Sequence, residues 1–510
     1  MKTTREIRGR PPTPKVASQS AYDLIVIGGG VYGITLTLEA ARRGLRTLLL
    51  ERADFGSQTS WNSLRILHGG LRYLQNLDLR RFSESVGERS WMLRNFPDLV
   101  RPLGCLMPLY GSGLRRPSIL RLAMAANEWL SRNRNDELDP DNSIPEGKVV
   151  SKEETLRHFP SADEQGLLGG ALWFDAYVEA PQILLTEMLR WASACGAVSL
   201  NYVKAEDLLV EGGNVRGVLA VDRVDDEVLT FSAPLVVNTS GPWCREVAER
   251  LDREVEPLHH LSIGFNLLLD IPALSSLAVA VAPNQPGART YFLLPSEEGV
   301  LAGTSHQSWT GPPVHGGVKR SWVVEFLQDL CKAMPNLRLD EDQVLRIDWG
   351  FLPTDTPGSP VQSRSAVICH HRDEGGPEGL FSVSGVKFTT AHLVALRVLR
   401  TLHRYQGSEL PEPAPGTRPT QQKPIGPSEI VSRLESDSQN TKSLIRRMIE
   451  EESVVHLDDL LLRRTKWGCS PQTSSKIARQ VATVLDWSDE RLSHEIARFD
   501  HIVKSWRETL

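Results

Sequence analysis

Chemistry enters this sequence first at three glycines and an acid. Gly28, Gly30 and Gly33 form G-x-G-x-x-G within residues 22–51, YDLIVIGGGVYGITLTLEAARRGLRTLLLE. In such a pattern the first glycine permits a tight turn, the second lets the backbone approach a pyrophosphate, and the third lets a helix pack close on a strand. Residues 24–27 are a short branched apolar run suited to a buried parallel strand, and Ile34, Leu36, Leu38 and Ala41 carry a helical pattern to a stop at Gly44. Residues 47–50 predict a second strand ending at Glu51, placed to hold a ribose diol. A glycine-rich structural turn is the competing reading. The strand before, the helix after and the acid at the right distance favour a dinucleotide site that also uses Val31, Tyr32 and Arg52.

The elements that position such a site must come from a long chain. Its 510 residues suffice for roughly three domains and a large core. A formal net charge of -5 argues against a general nucleic-acid binder. No apolar run reaches the roughly eighteen residues that cross a bilayer. Residues 1–20 are basic and contain Pro and Ser without an apolar segment, so they predict a disordered leader and not a secretory signal. The six cysteines are scattered without C-x-x-C, which favours a reducing, cytoplasmic setting and argues against a disulfide reductase or iron-sulfur carrier.

Residues 53–70 are rich in Gly, Ser, Thr and Asn, suiting a loop laid along a polar ligand, and a helix is expected from Leu71. Within this region T-S-x-x-S-x-x-x-x-H-G-G-L-R-Y-L, at residues 59–74, resembles the signature of the FAD-dependent aerobic glycerol-3-phosphate dehydrogenases. Further blocks follow in that family's order: GGALWFDAYVEA at 169–180, a strand pair around Gly212-Gly213, LVVNTSGPW at 235–243, and SGVKFTT at 384–390. Together they cover most of the chain from residue 21 to about 400. The resemblance implies FAD on the opening motif. It adds Thr59, Ser60, Ser63, Leu67, His68, Gly69, Gly70, Val203, Ser240, Gly241, Trp243, Gly385, Lys387, Phe388 and Thr389 to the cofactor site. A helix start after Gly385 has a physical reason to be there, since its N–H groups would stabilise a negative flavin edge.

The resemblance also implies a reaction. Hydride transfer from an alcohol needs a flavin N5 near the substrate carbon and a base for the hydroxyl proton. His68 is the candidate base, with Arg364 and Lys387 beside the chemistry and Arg72, Tyr73 and Ser305 facing the substrate. Each cation could equally be a solvated surface charge, but arginine and lysine at family-matched positions favour a basic pocket for a small anionic or polar alcohol. Three departures fall on the substrate side. Gly350-Phe351-Leu352-Pro353 stands for G-x-R-P, LSIGFN at 261–266 for a block with a substrate-facing histidine, and Gly303-Thr304-Ser305-His306 for G-T-T-D. His306, His370 and His371 could substitute, although exposed histidines are the blander expectation.

The expected fold is α/β plus α: a discontinuous Rossmann-like FAD-binding domain (21–110, 170–245, 346–405), an antiparallel-sheet substrate domain (111–169, 246–345) and a C-terminal helical domain (424–510) beyond a Pro-rich linker. Residues 114–130 mix arginines with large apolar residues, so this helix can either lie in a membrane interface or be an ordinary surface helix. The expected function is oxidation of glycerol 3-phosphate or a relative, at the inner face of the membrane if quinone is the acceptor and in solution if oxygen is. An amine or amino-acid oxidase and a non-catalytic flavin-binding protein are the alternatives. The absence of a second nicotinamide fingerprint and of W-x-W-x-I-P argues against aromatic hydroxylases and flavin halogenases.

Overall fold

In a computed structural model the described residues are 12–70, 73, 78–111, 116–283, 285, 288–313, 317–414, 418–419, 425–485 and 487–510. The apolar run Leu24–Ile27 is fully buried and sits inside a six-stranded sheet. The order is Val367–His370, Leu380–Ser384, Val236–Asn238, Leu24–Ile27, Thr47–Leu50, Val198–Leu200, parallel except for the antiparallel Val367–His370 edge. Alternation along the central strand divides the domain into two cores. Leu24 and Val26 face helices Val31–Ala41, Pro181–Ala194 and Ala391–Tyr405 through Ile34, Leu38, Leu184 and Val398. Ile25 and Ile27 face a three-stranded antiparallel sheet through Val203, Val218 and Phe231. That sheet turns at Gly212 and Gly213, both at positive φ.

A nine-stranded sheet forms the second layer. Near one edge His260–Leu269 runs antiparallel to Gly299–Ser308 on one side and to the edge strand Val344–Thr354 on the other. Helix Arg320–Ala333 covers its outer face with Val323, Phe326 and Leu330. Strands Val100–Leu109, Gly169–Val178 and Val344–Thr354 pair within this sheet, although their positions in the chain suggested the cofactor-binding part. Long-range pairing decided this, because an apolar alternating strand fits either sheet.

Residues 425–510 are helical, with a core of Ile430, Leu457, Leu461, Trp467, Val481 and Phe499. The expected disordered leader is partly ordered: Thr13 caps a helical turn at Pro14–Ala17, and the carbonyl of buried Ala17 accepts Tyr22 Oη at 3.0 Å. Residues 1–11 and 71–72 lie outside the described residues, so the leader's start and the expected helix start at Leu71 do too; the helix here is Leu79–Asn95.

Candidate active site

The ends of the parallel strands open onto a cavity of about 400 Å³ that runs from Glu51 and Val203, past Gly28 to Gly30, to His68 and Lys387. Gly28 turns the chain at φ +104, and a Cβ there would lie 2.7 Å from Ser240 Cα. On Gly33 a Cβ would meet Gly28 O at 1.9 Å, so this glycine packs helix to strand and does not line the cavity. Gly30 differs from both. Its Cβ would meet only Ser60 Oγ, at 3.3 Å, leaving an open approach at the N-terminus of helix Val31–Ala41. This is a cradle for a pyrophosphate, with backbone donors and the positive end of the helix dipole.

Several of the other residues expected to hold the cofactor have an identifiable support. Ser60 Oγ accepts Val31 N at 3.0 Å. Thr59 Oγ1 donates to Phe351 O at 3.2 Å and Asn62 Nδ2 to Trp349 O at 2.6 Å, so the polar loop is tied to the second sheet. Glu51 accepts Gly29 N at 2.6 Å and Ala53 N at 2.8 Å. Burial raises its carboxyl pKa against those two bonds and the charge of Arg52. Arg52 stacks 4.2 Å over Trp243, whose indole N–H is buried without a protein partner, a donor suited to a cofactor oxygen. At the far end Gly385 packs against the Tyr32 ring, and Tyr32 Oη accepts the N–H groups of Val386 and Lys387 at 2.8 and 2.9 Å. Those two donors are therefore taken by tyrosine, a use the motif by itself did not reveal. Ser63, Ser240, Gly241, Phe388 and Thr389 also line the cavity.

Leu67, Gly69 and Gly70 are neighbours of the cavity and not part of its wall. Leu67 is buried in the core; Gly70, at φ +91, packs on Phe82. Gly69 N donates to Asp175 Oδ1 at 2.6 Å. Asp175 is the aspartate that the GGALWFDAYVEA block marks, and the block by itself gave it no role. Leu67 pairs with Ala176 across antiparallel strands, so the next residues, His68 and Asp175, face one another. His68 Nδ1 is 3.0 Å from Asp175 Oδ2, which also accepts Trp173 Nε1 at 3.2 Å. Burial pushes the Asp175 carboxyl up, but the bond and charge of His68, the charge of Arg89 and the Gly69 amide outweigh it and hold the group below its ordinary value. An ionised carboxylate only accepts, so whenever the imidazole is neutral its hydrogen sits on Nδ1 and the lone pair on Nε2.

The substrate-side expectations divide. Lys387 lines the cavity, with Nζ 4.5 Å above the Tyr73 ring. Tyr73 supports it without lining the cavity. Arg364 is exposed and off the cavity, because Ser363 before it turns inward to Asp355 Oδ1 at 2.5 Å. Ser305 is buried on the other face of its strand; the two-residue period presents Thr304 and His306 instead. Arg72 lies outside the described residues. The expectation of exposed histidines fails at His371, which is fully buried between Asp252 and Ser382, 2.9 Å from each. His370 stacks on Phe381, and neither lines the cavity. His259, His260 and Gln362 also line the wall, unmarked by any local motif, as does Asn266 at the end of LSIGFN. Leu352 lies across it, its Cδ1 2.4 Å from where a Cβ on Gly264 would be. No group of metal-ligating side chains occurs among the described residues.

Comparison with known proteins agrees with this geometry. The FAD dependent oxidoreductase family matches residues 23–399. An alpha-glycerophosphate oxidase of Streptococcus pyogenes serotype M1 is 33% identical over 327 residues, 63% of this chain; the match spans about half that oxidase, 52%. A glycerol-3-phosphate dehydrogenase of Synechocystis sp. is 30% identical over 388 residues, 73% of this chain and 68% of that protein. The glycerol-3-phosphate dehydrogenase from Bacillus halodurans, solved with FAD, shares the fold at a TM-score of 0.71 and 21% identity, over 98% of this chain and 97% of that one. The family match and the dehydrogenase relative place the chain among the FAD-dependent oxidoreductases, in the group that includes the glycerol-3-phosphate dehydrogenases, and FAD is its cofactor.

Proposed function

We propose that the chain oxidises a small polar alcohol, glycerol 3-phosphate or a close relative, to the corresponding carbonyl, which from glycerol 3-phosphate is dihydroxyacetone phosphate. One observation carries this reading: His68, oriented by buried Asp175, opens onto the same cavity as the flavin-end motif. When bound, the flavin supplies a hydride acceptor at N5. His68 Nε2 takes the hydroxyl proton, and Asp175 stabilises the imidazolium that results. Lys387 supplies a positive charge for an anionic substrate, while Leu352 gives part of the wall an apolar surface. Sequence relatives favour this alcohol chemistry over an amine or amino-acid oxidase. The test is anaerobic addition of glycerol 3-phosphate to the yellow protein. Bleaching of the flavin is expected; a flavin left oxidised by glycerol 3-phosphate and related phosphate esters removes the substrate assignment, and imine with peroxide from an amine replaces it.

For the electron acceptor we propose quinone, reached by peripheral docking at the inner face of the membrane. Helix Pro117–Leu130 buries Leu120 and Met124 while exposing Ile119, Leu122 and Trp129 beside Arg116 and Arg121. No helix among the described residues is long and apolar enough to cross a membrane. Anionic vesicles should therefore co-sediment the wild type and release an Arg116→Glu, Arg121→Glu variant. Failure to bind vesicles, with one peroxide formed per turnover, would point to oxygen instead.

A further inference from the structure

A buried group of charges joins the C-terminal helical domain to one end of the cofactor cavity. Asp54 follows Glu51, Arg52 and Ala53, and lines the cavity with them. Its carboxylate is 1% exposed and turned toward the C-terminal domain. Arg464 grips it through two bonds, Nη1 to Oδ2 at 2.7 Å and Nη2 to Oδ1 at 2.6 Å. Arg463 Nε donates to the same Oδ2, and Asn201 Nδ2 to Oδ1 at 2.8 Å. Behind them Arg463 also pairs with Asp458 and Asp459, and Arg498 donates to Asp458 at 2.7 Å. Charge is balanced and every guanidinium has an acidic partner.

The local backbone is shaped for this contact. In a regular α-helix successive side chains diverge by about 100°, which spreads adjacent arginines around the axis. Asp459–Arg464 is π-helical, and all six of its side chains are buried. Such segments are rare and concentrate at functional sites. The same segment reaches the opposite wall of the cavity end. Tyr202, held at φ +57, donates its hydroxyl to Asp459 Oδ1 at 2.7 Å, while its backbone N–H bonds Ala53 O at 2.9 Å. Val203, the next residue, lines the cavity. A non-glycine residue at positive φ is strained and persists where its surroundings hold it. Buried ionic clusters often stabilise a fold no more than apolar packing of similar volume, which directs attention to the geometry this one imposes.

We infer that the C-terminal domain completes the cofactor site: Arg463 and Arg464 hold Asp54, and Asp459 holds Tyr202, in the arrangement that receives the adenosine end of FAD. Asp54 and the two arginines are positioning residues. The inference rests on the cofactor assignment and is independent of the substrate.

The test uses the full-length apoprotein and three probes: FAD, ADP and FMN, which lacks the adenosine. Arg464→Lys keeps the charge and loses the two-pronged grip. It should weaken FAD and ADP by about tenfold or more while leaving FMN affinity close to wild type in the folded apoprotein. Arg479→Ala, which breaks an exposed pair with Asp500 in the same domain, should change none of these. If Arg464→Lys does not fold, Asp54→Asn is measured in the same way. Unchanged FAD and ADP affinities in a folded variant, or an equal loss for all three probes, would overturn the inference.

Discussion

His68 and Asp175 show how a residue acquires a role from its partner. A histidine in a loop can carry a proton either way, but a buried ionised carboxylate at Nδ1 leaves only Nε2 as a base. Replacing His68 with Gln should lower the rate of flavin reduction by about 10² to 10⁴ while FAD stays bound, as measured by anaerobic stopped-flow. Asp175→Asn has a subtler expected effect. The amide can stabilise either tautomer, so reduction should slow by about 10- to 100-fold, with kcat affected more than KM. An Asp175→Asn protein that reduces at the wild-type rate would remove Asp175 from the proposal.

At the scale of elements, the strand–turn–helix unit makes two separable demands on its glycines. Gly28 is constrained by its own conformation and by Ser240 behind it, so Gly28→Ala should impair folding and cofactor binding together. Gly30 adopts an ordinary φ of -81 and borders open space. Gly30→Val should therefore keep the apoprotein's thermal midpoint near wild type and still lower FAD affinity by more than about tenfold, since the branched side chain fills the phosphate approach. Titration by flavin fluorescence beside a thermal melt separates the two cases. The alternation of Thr304, Ser305 and His306 makes the same point for strands: a one-residue difference decides which side chain meets the cavity.

Over the whole molecule, the docking of the C-terminal domain has a pH signature. Glu452 lies near Arg464, Arg190 and Glu187, and burial pushes its carboxyl up to about 7 against the two arginines. Its ordinary value is 4.5, so the native state binds this proton more tightly than the unfolded chain does. The stabilisation is complete below the unfolded value and is lost as pH rises through the folded one. Urea unfolding at several pH values between about 5 and 8 should show stability falling with pH through this group, with a slope of at most about 1.4 kcal/mol per pH unit. In Glu452→Gln that component should vanish. A slope unchanged by the substitution would mean that Glu452 is charged in the native protein.

The sequence by itself determined the cofactor half of this protein. The glycine turn and Glu51 are legible because phosphate approach and tight turns demand particular residue types at short, fixed spacings, whereas Thr59, Ser60, Trp243 and Gly385 came from the resemblance of longer blocks; all of them line the cavity. Only the tertiary structure decided the substrate wall and the supports. Asp175 reaches His68 through strand register, Arg364 is turned outward by its neighbour, and Arg463 and Arg464 meet Asp54 across some four hundred residues of chain. Contacts of that range depend on which strands pair and which domain faces pack, and the two larger sheets of this protein accept strands of similar pattern.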